Sequence, residues 1–159
     1  MTEPNCSFIT KLAFTFRTED LYFLVMEFAE KGDVFGLLHP GGMRQQKIVL
    51  EDDTIRFIVG CVVLGLEYLH SQNIIYQDMK PENLLIFEDG YVKITDFGLS
   101  QNCASGLQKA MLVGTPEYFA PEMLMCQRYG KGIDLWALGV LTFELANNKV
   151  PYPYDEFDS

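Results

Sequence analysis

Four polar residues near the middle of the chain have the types and spacing needed for chemistry on phosphate groups. Asp78, Lys80 and Asn83 lie close together, and Asp96 follows within an Asp-Phe-Gly triplet. Phosphoryl transfer needs a carboxylate to orient the attacking hydroxyl, a cation beside the moving phosphoryl group, and oxygen ligands for magnesium. Asp78 and Lys80 supply the first two, and Asn83 and Asp96 supply the third. The spacing therefore predicts a phosphoryl-transfer site.

Each of these features alone is weak evidence for such a site, because an Asp-Phe-Gly turn, or an Asp and an Asn at this spacing, occurs by chance in many proteins. Their combination is much more specific. Two further motifs follow in order along the chain. Residues 114–122 read Gly-Thr-Pro-Glu-Tyr-Phe-Ala-Pro-Glu, and residues 134–139 read Asp-Leu-Trp-Ala-Leu-Gly. The complete ordered set argues strongly against coincidence.

Together these motifs resemble the catalytic domain of serine/threonine protein kinases. The resemblance is to the AGC group, which includes the cyclic-nucleotide-dependent enzymes. It rests on Tyr76 in place of the usual catalytic-loop histidine and on Gly-Thr-Pro-Glu-Tyr at residues 114–118. Lys80 together with Thr115 favours Ser and Thr acceptors over Tyr. The resemblance covers nearly the whole chain and implies ATP and Mg²⁺ as cofactors and proteins as substrates.

By matched position, the resemblance implies a role for each site residue. Asp78 would accept the proton, Lys80 would contact the phosphate, and Thr115 would contact Asp78. The nucleotide-binding residues would be Glu27, Ala29, Asp33, Glu82, Asn83, Leu85, Thr95 and Asp96. Within this set the backbone from Glu27 to Ala29 would meet adenine, Asp33 would reach the ribose and Leu85 would lie under the base. Asn83 and Asp96 would be the magnesium ligands.

Acidic residues suggest a preference for basic substrates. Glu82, Glu117 and Glu144 match positions that receive substrate arginines in arginine-directed relatives, and Asp33 lies at the edge of the same surface. Charge-assisted pairs would give such a groove specificity. An ordinary solvated acidic face is the alternative interpretation.

Two structural roles follow from the same resemblance. Leu12, Tyr76 and Phe97 match an apolar regulatory stack, with plain core packing as the alternative for Leu12 and Tyr76. Asp134 begins an otherwise apolar helix, where an unpaired buried carboxylate would be costly. We therefore expect Asp134 to accept hydrogen bonds from the catalytic-loop backbone.

The elements expected to position these residues are two antiparallel strand pairs and two long helices. Aromatic and β-branched runs predict strands, and apolar residues at steps of three and four predict helices. The predicted strands are residues 8–16 with 21–28 and 83–87 with 91–94, the helices are 54–69 and 133–146, and residues 100–113 form a loop. Asp52 and Asp53 are candidate caps of the first long helix, and the second is apolar enough to be buried on every side.

The fold predicted from these elements is α+β, a protein-kinase-like two-lobe fold. Residues 1–28 would be a remnant of the N-lobe sheet, and residues 29–159 a truncated, mainly helical C-lobe. A glycine-rich phosphate loop, a lysine strand and a helix with a partner Glu are expected upstream and do not precede residue 8. Apolar surface on residues 21–28 and 133–146 would then be uncovered, so a complete kinase or a regulatory partner is expected to cover it.

Three positions depart together from the resemblance. Gln77 replaces the Arg that usually precedes the catalytic Asp, Gln101 replaces a Lys, and Met111 replaces the activating phosphothreonine. In the family the Arg and the Lys normally bind the phosphate carried by that threonine. The loss of all three residues together is therefore consistent with the loss of one function. The hypothesis is that phosphorylation at position 111 does not switch this chain; Ser105 is the remaining hydroxyl between Cys103 and Val113.

Composition limits the partners. The chain has 12 Lys and Arg against 22 Asp and Glu, a formal charge of −10. Such a charge repels phosphate backbones and anionic lipid headgroups, so nucleic acid and membrane insertion are not expected, whereas cationic peptides are. The four dispersed cysteines predict free thiols, as is usual in the cytoplasm. A cytoplasmic protein is therefore expected, and access to the nucleus is possible. Residues 38–50 are predicted to be a surface insertion without an assigned function.

Two classes of function fit this sequence. An ATP-dependent serine/threonine kinase, present here as a fragment, explains why Asp78, Lys80, Asn83 and Asp96 all remain. A truncated, pseudokinase-like binding or regulatory module explains the absent lobe. A small-molecule kinase is weaker, because residues 114–122 favour a peptide acceptor.

Overall fold

The computed structural model describes residues 6–42, 48–108 and 111–153. The strands and α-helices, in chain order, are β1 Leu12–Arg17, β2 Tyr22–Met26, α1 Val34–Leu38, α2 Asp52–Ser71, β3 Ile74–Ile75, β4 Leu84–Ile86, β5 Val92–Ile94, β6 Gln101–Asn102, α3 Pro121–Leu124 and α4 Gly132–Asn147. Short 3-10 turns lie at Pro40–Gly42, Pro81–Asn83 and Pro116–Tyr118. The α+β class is confirmed. Residues 43–47, the centre of the predicted insertion, lie outside the described residues.

Strands β1 and β2 form the predicted antiparallel pair, with Phe16 opposite Phe23 and their rings stacked 4.6 Å apart. The first strand is shorter than predicted, because β1 begins at Leu12. Most apolar side chains of this hairpin are exposed, including Phe14 and Tyr22. The prediction that this strand pair leaves apolar surface uncovered is confirmed for the part of the chain that the structure describes.

Residues 8–10 leave the hairpin and join β5. Thr10 N donates to Ile94 O at 3.0 Å, and Ile94 N donates to Phe8 O at 2.9 Å. Helix α2 crosses this junction at Gly65, where an added Cβ would lie 2.8 Å from Ile94 Cδ1. A larger residue here would require the Ile94 side chain to shift and would lie 3.1 Å from Phe8 O. The start of the described chain is thereby tied to the core around α2.

Helix α2 confirms the predicted long amphipathic helix and extends it at both ends. Its buried residues include Ile58, Val62, Leu66 and Leu69. The cap prediction was wrong: the N-cap is Glu51, without a side-chain bond, and Asp52 and Asp53 lie in the first turn beside Arg56. Carboxylates in the first turn favour the positive helix end even when they do not cap it.

By length and composition, α2 is the one helix in the described residues that could cross a membrane. Core helices of soluble proteins meet the same criteria. In this structure the apolar face of α2 packs against β5 and α4. The prediction of no membrane insertion therefore stays a prediction.

The β4–β5 hairpin is confirmed, with Leu84 opposite Ile94 and a turn at Glu88–Gly90 in which Gly90 has φ +85°. The prediction of a loop over residues 100–113 was wrong at two points. β6 pairs with β3, and Gln108 forms a bridge with Tyr129. Short two-residue strands carry no readable periodicity, so sequence pattern missed them.

Helix α4 lies where it was predicted, and Leu141 and Leu145 are fully buried in the main core. The prediction of burial on every side was wrong within the described structure. Leu135 is 58% exposed, and Trp136 and Phe143 are also exposed. These side chains are not part of the core cluster that α4 shares with α2, and Trp136 stacks on Tyr152. The expectation of uncovered apolar surface on this helix is confirmed.

Candidate active site

Asp78 lies in the loop between β3 and β4 and is only 6% exposed. Lys80 Nζ lies 3.2 Å from Asp78 Oδ1 and 3.0 Å from Oδ2. Thr115 Oγ1 donates to Asp78 Oδ1 at 3.2 Å, and Lys80 Nζ donates to Thr115 Oγ1 at 3.3 Å. The three residues predicted to be catalytic therefore form one contiguous cluster, although Thr115 is distant in sequence.

Asn83 joins this cluster from the turn Pro81–Asn83. Its Nδ2 donates to Asp78 O at 2.9 Å and to Asp78 Oδ2 at 2.7 Å. Both bonds use the amide nitrogen, so the amide oxygen faces away from them and remains a ligand atom. Asn83 is buried, and its amide therefore has a fixed orientation.

Asp96 lies just after β5 with a left-handed backbone, φ +54°. Its Oδ1 accepts from Gly98 N at 3.1 Å, and the side chain is exposed. An exposed carboxylate and a fixed amide oxygen are hard ligands of the type that Mg²⁺ prefers together with phosphate oxygens. The donor set at Asn83 and Asp96 fits a magnesium ion that arrives with a nucleotide.

Asp134 fixes the backbone of the loop that leads into Asp78. Its Oδ2 accepts from Tyr76 N, and its Oδ1 accepts from Gln77 N, both at 2.9 Å. The prediction for Asp134 is confirmed. His70 Nε2 lies 2.7 Å from Asp134 Oδ2, a third partner that sequence reasoning missed. Its position at the end of α2 gave no signal of a contact with α4.

Tyr76 is completely buried and connects this loop to β5. Its hydroxyl donates to Thr95 O at 2.5 Å, and its ring meets Phe97 edge-on at 5.7 Å. Burial and the nearby Asp78 charge raise the pKa of Tyr76, so its hydroxyl stays protonated at neutral pH. Leu12 is 52% exposed, so of the three proposed stack residues the structure joins only Tyr76 and Phe97.

The predicted nucleotide residues lie around the junction of β2, α1 and β4. Asp33 is the N-cap of α1, where its Oδ1 accepts from Gly36 N at 2.7 Å, and its backbone bridges to Leu85. Thr95 is buried, and its N donates to Asn83 O at 3.0 Å. The residues are therefore brought to one region, and their contacts with nucleotide stay predictions.

Glu27 has two contacts that the sequence did not suggest. Its Oε1 accepts from Lys11 N at 2.8 Å, and its Oε2 pairs with Lys93 Nζ at 2.7 Å. The Lys93 ammonium also lies 4.0 Å from the centre of the Phe87 ring. Glu27 therefore ties the segment after β2 to both β5 and the residue preceding β1.

The three acidic residues of the predicted substrate groove differ in exposure. Glu82 is exposed and Glu117 is half-buried, whereas Glu144 is only 7% exposed. Glu144 accepts a hydrogen bond from the Tyr118 hydroxyl. A solvated acidic face, the alternative interpretation, does not describe Glu144. Burial and the charge of Glu144 both raise the pKa of Tyr118, which keeps this donor protonated.

Two of the three departing positions meet through a residue that sequence reasoning did not consider. Gln77 Nε2 donates to the Tyr129 hydroxyl at 2.8 Å, and that hydroxyl donates to Met111 O at 3.2 Å. Gln101 lies apart from this chain of bonds, on β6 opposite Ile75. At the position where the family usually has an Arg, Gln77 therefore makes an uncharged hydrogen bond to Tyr129.

The four cysteines are free thiols, as predicted. Cys61 is buried, and desolvation raises its pKa. Cys126 is exposed. None of the four contributes to the cluster around Asp78.

The geometry of the site and the order of the motifs agree with the known protein family that the sequence matches. The protein kinase domain family matches residues 1–159, and the chain belongs to this family. Its α+β fold is consistent with that family. The predicted resemblance is thereby confirmed.

Several AGC-type relatives are similar over most of the chain. The cGMP-dependent protein kinase, isozyme 2 forms cD5/T2, of Drosophila melanogaster is 42% identical over 96% of this chain. The RAC-beta serine/threonine-protein kinase of Rattus norvegicus is 41% identical over 91% of it. These alignments span 16% and 29% of the respective relatives. The chain therefore covers less than a third of either protein.

Proposed function

We propose that the chain carries the catalytic centre of a serine/threonine protein kinase that transfers a phosphoryl group from MgATP to proteins. The observation that carries the proposal is the cluster at Asp78, where a buried carboxylate contacts Lys80 and Thr115 and is oriented by Asn83. A carboxylate held in this way can accept the proton of a substrate hydroxyl as the hydroxyl attacks. The Lys80 ammonium lies beside the Asp78 carboxylate and partly neutralises its charge.

The residues present fit the proposed cofactors. Asn83 and Asp96 would hold Mg²⁺, Leu85 and the segment from Glu27 to Ala29 would face adenine, and Asp33 would meet the ribose. When bound, MgATP supplies the phosphoryl group and the charge neutralisation that its transfer requires. The chain's own part is to fix the acceptor hydroxyl against Asp78 and to keep Lys80 within reach of the phosphate.

The direct test is Asp78→Asn, which keeps the shape of the side chain and removes its basicity. The rate of phosphoryl transfer from ATP to a Ser-containing peptide should fall by about 10²- to 10⁴-fold. Nucleotide binding, followed by the fluorescence of a labelled ATP analogue, should persist. Asp89→Asn, which changes an exposed carboxylate in the β4–β5 turn, is the matched control and should retain activity.

Equal, low transfer by the wild-type protein and Asp78→Asn would contradict the proposal. The second candidate, a binding or regulatory module, would then be favoured, since its supporting observation is the exposed apolar hairpin of β1 and β2.

A preference for basic substrates belongs to the same proposal. Glu82 is exposed and Glu117 is half-buried, whereas Glu144 is buried and bonded to Tyr118. A peptide array that varies the residues before the acceptor should show a preference for Arg or Lys, and no preference would contradict this part. A cytoplasmic location is likewise proposed, and fluorescence microscopy of the tagged protein tests it.

Independence from phosphorylation at position 111 also remains a proposal. Met111 has no side-chain hydroxyl, and its neighbour Tyr129 is bonded to an amide rather than to a cation. Mild phosphatase treatment should therefore leave transfer activity unchanged. Loss of activity on phosphatase treatment, reproduced by Ser105→Ala, would contradict this.

A further inference from the structure

We propose that Gln77 and Tyr129 are positioning residues that hold the peptide-facing segment, residues 111–118, onto the catalytic loop through uncharged hydrogen bonds. Gln77 directly precedes Asp78. Its Nε2 donates to the Tyr129 hydroxyl at 2.8 Å, which donates to Met111 O at 3.2 Å. The inference rests on the proposed function, because it assigns a peptide-binding purpose to this segment. We call these two bonds the Gln77–Tyr129 relay.

A second contact ties the same residue to the same segment. Gly114 has φ +108°, and a Cβ added there would lie only 2.5 Å from Gln77 O. Gln77 N is itself fixed by Asp134 Oδ1, and Gln77 has a left-handed backbone of φ +73°. Thr115, the next residue after Gly114, bonds to Asp78. A shift at Gln77 would therefore move both the segment and the candidate base.

Burial makes the relay stronger than the same bonds would be in water. Tyr129 is 1% exposed and Gln77 is 7% exposed, and hydrogen bonds strengthen where the surroundings are poorly polarisable. Desolvation also raises the pKa of Tyr129, so its hydroxyl keeps its proton and can donate to Met111 O. A phenol has one proton, so donation to Met111 requires that Gln77 present its nitrogen.

The cost of placing Gln at this position points to a purpose for its amide nitrogen. Within the part of the chain that the structure describes, Gln77 Oε1 is buried without a hydrogen-bond partner. An apolar side chain of similar length would avoid that desolvation cost. The amide therefore fits a position where the bond to Tyr129 matters more than packing alone.

The absence of charge in the relay has a measurable consequence. Ion pairs between accessible groups weaken as salt screens them, whereas neutral buried hydrogen bonds do not. Peptide binding should thus keep its dependence on the relay at high ionic strength. The segment would be ordered without any group that titrates near neutral pH.

Steady-state kinetics of Tyr129→Phe and Gln77→Met tests the relay, because both variants preserve size and remove hydrogen bonds. The KM for a peptide should rise about fivefold in Gln77→Met, in line with loss of one buried hydrogen bond, and at least as much in Tyr129→Phe, which removes both bonds of the relay. The KM for MgATP should stay within about twofold, because none of the residues proposed to hold the nucleotide takes part in the relay's hydrogen bonds. The double variant should be no worse than Tyr129→Phe, since that variant already lacks both hydrogen bonds of the relay.

Tyr91→Phe is the matched control, because it removes a tyrosine hydroxyl from a ring that packs against Phe8 and Phe57. Its peptide KM should equal that of the wild type. Additive effects of Tyr129→Phe and Gln77→Met, an equal rise in both KM values, or a Tyr129→Phe variant that behaves like Tyr91→Phe would each overturn the relay.

Amide hydrogen exchange separates failure of the relay from failure of the proposed function. In the protein without substrates, exchange over residues 113–118 should be faster in Tyr129→Phe than in the wild type and unchanged in Tyr91→Phe. A wild-type protein that transfers no phosphate would contradict the proposed function and leave this exchange result to decide the relay. Unchanged exchange in Tyr129→Phe would overturn the relay whatever the activity.

Discussion

At the scale of single residues, the candidate site depends on a few side chains whose hydrogen bonds fix Asp78 and the backbone that precedes it. Asp78 is fixed by three neighbours, and Asp134 fixes the two residues that precede Asp78. Buried backbone N–H groups need partners, and removing one carboxylate would leave two of them unpaired. The loop that leads into Asp78 is thus held in shape by a residue of α4.

Gly114 is the residue for which the structure makes the sharpest prediction. Gly114→Ala would place a Cβ 2.5 Å from Gln77 O on a backbone with φ +108°, so the segment must move. Because small displacements of a positioned group are costly in catalysis, kcat/KM for a peptide should fall by about tenfold to a hundredfold. Steady-state kinetics measures this.

Gly106→Ala separates strain from collision. Gly106 has φ +104°, almost the same backbone conformation, but nothing lies within 4 Å of an added Cβ. Its activity should be close to that of the wild type. If both variants lost activity equally, the contact between Gly114 and Gln77 would not be the cause.

At the scale of elements, the described chain is held together where segments distant in sequence cross. Helix α2 approaches β5 at Gly65, and β3 pairs with β6 on the other side of the catalytic loop. The segment after β2 is fastened to β5 by Glu27 and Lys93. Glu27, one member of this ion pair, also belongs to the segment that is proposed to face adenine.

The Glu27–Lys93 pair should contribute more than an exposed pair of equal length. Both side chains are largely covered, at 25% and 13% exposed, and their atoms lie 2.7 Å apart. A double-mutant cycle of Glu27→Gln and Lys93→Met should give a coupling energy of about 1 kcal/mol in the free energy of unfolding. Urea denaturation at low ionic strength measures it.

Arg56 and Asp53 provide the reference pair. They are also 2.7 Å apart, but their side chains are 72% and 91% exposed. A coupling energy near zero is expected for them, because solvent and salt screen exposed charges. Equal coupling in the two pairs would show that burial does not distinguish them.

At the scale of the whole molecule, three buried tyrosines should set the alkaline limit of stability. Desolvation by burial raises the pKa of Tyr76, Tyr118 and Tyr129 above the ordinary value near 10. Their stabilising effect is complete below that ordinary value. It decreases as pH rises beyond about 10, because the unfolded chain then releases protons that the folded chain retains.

Thermal unfolding followed by circular dichroism from about pH 7 to about pH 11 tests this prediction. The midpoint should be steady up to about pH 9.5 and then fall. A midpoint that stays constant to about pH 11 would mean that these hydroxyls ionise as easily in the folded protein as in the unfolded one.

The sequence by itself determined the family, the α+β class and the residues that form the candidate centre. Motifs such as residues 114–122 are local, and each long element carries its own periodicity, so both can be read without knowledge of the fold. The β4–β5 pair, α2 and α4 were therefore predicted close to their observed bounds, whereas β1 begins later than predicted. The role of Asp134 was also predicted.

Tertiary structure alone decided which distant side chains meet. The contacts of His70 with Asp134, Glu27 with Lys93, and Gln77 with Tyr129 join segments whose separation in sequence carries no pattern. Which side chains of α4 are buried and which are exposed was likewise decided by what packs against the helix. Side-chain hydrogen bonds depend on distances of a few tenths of an ångström, and the chain fixes such distances only when it folds.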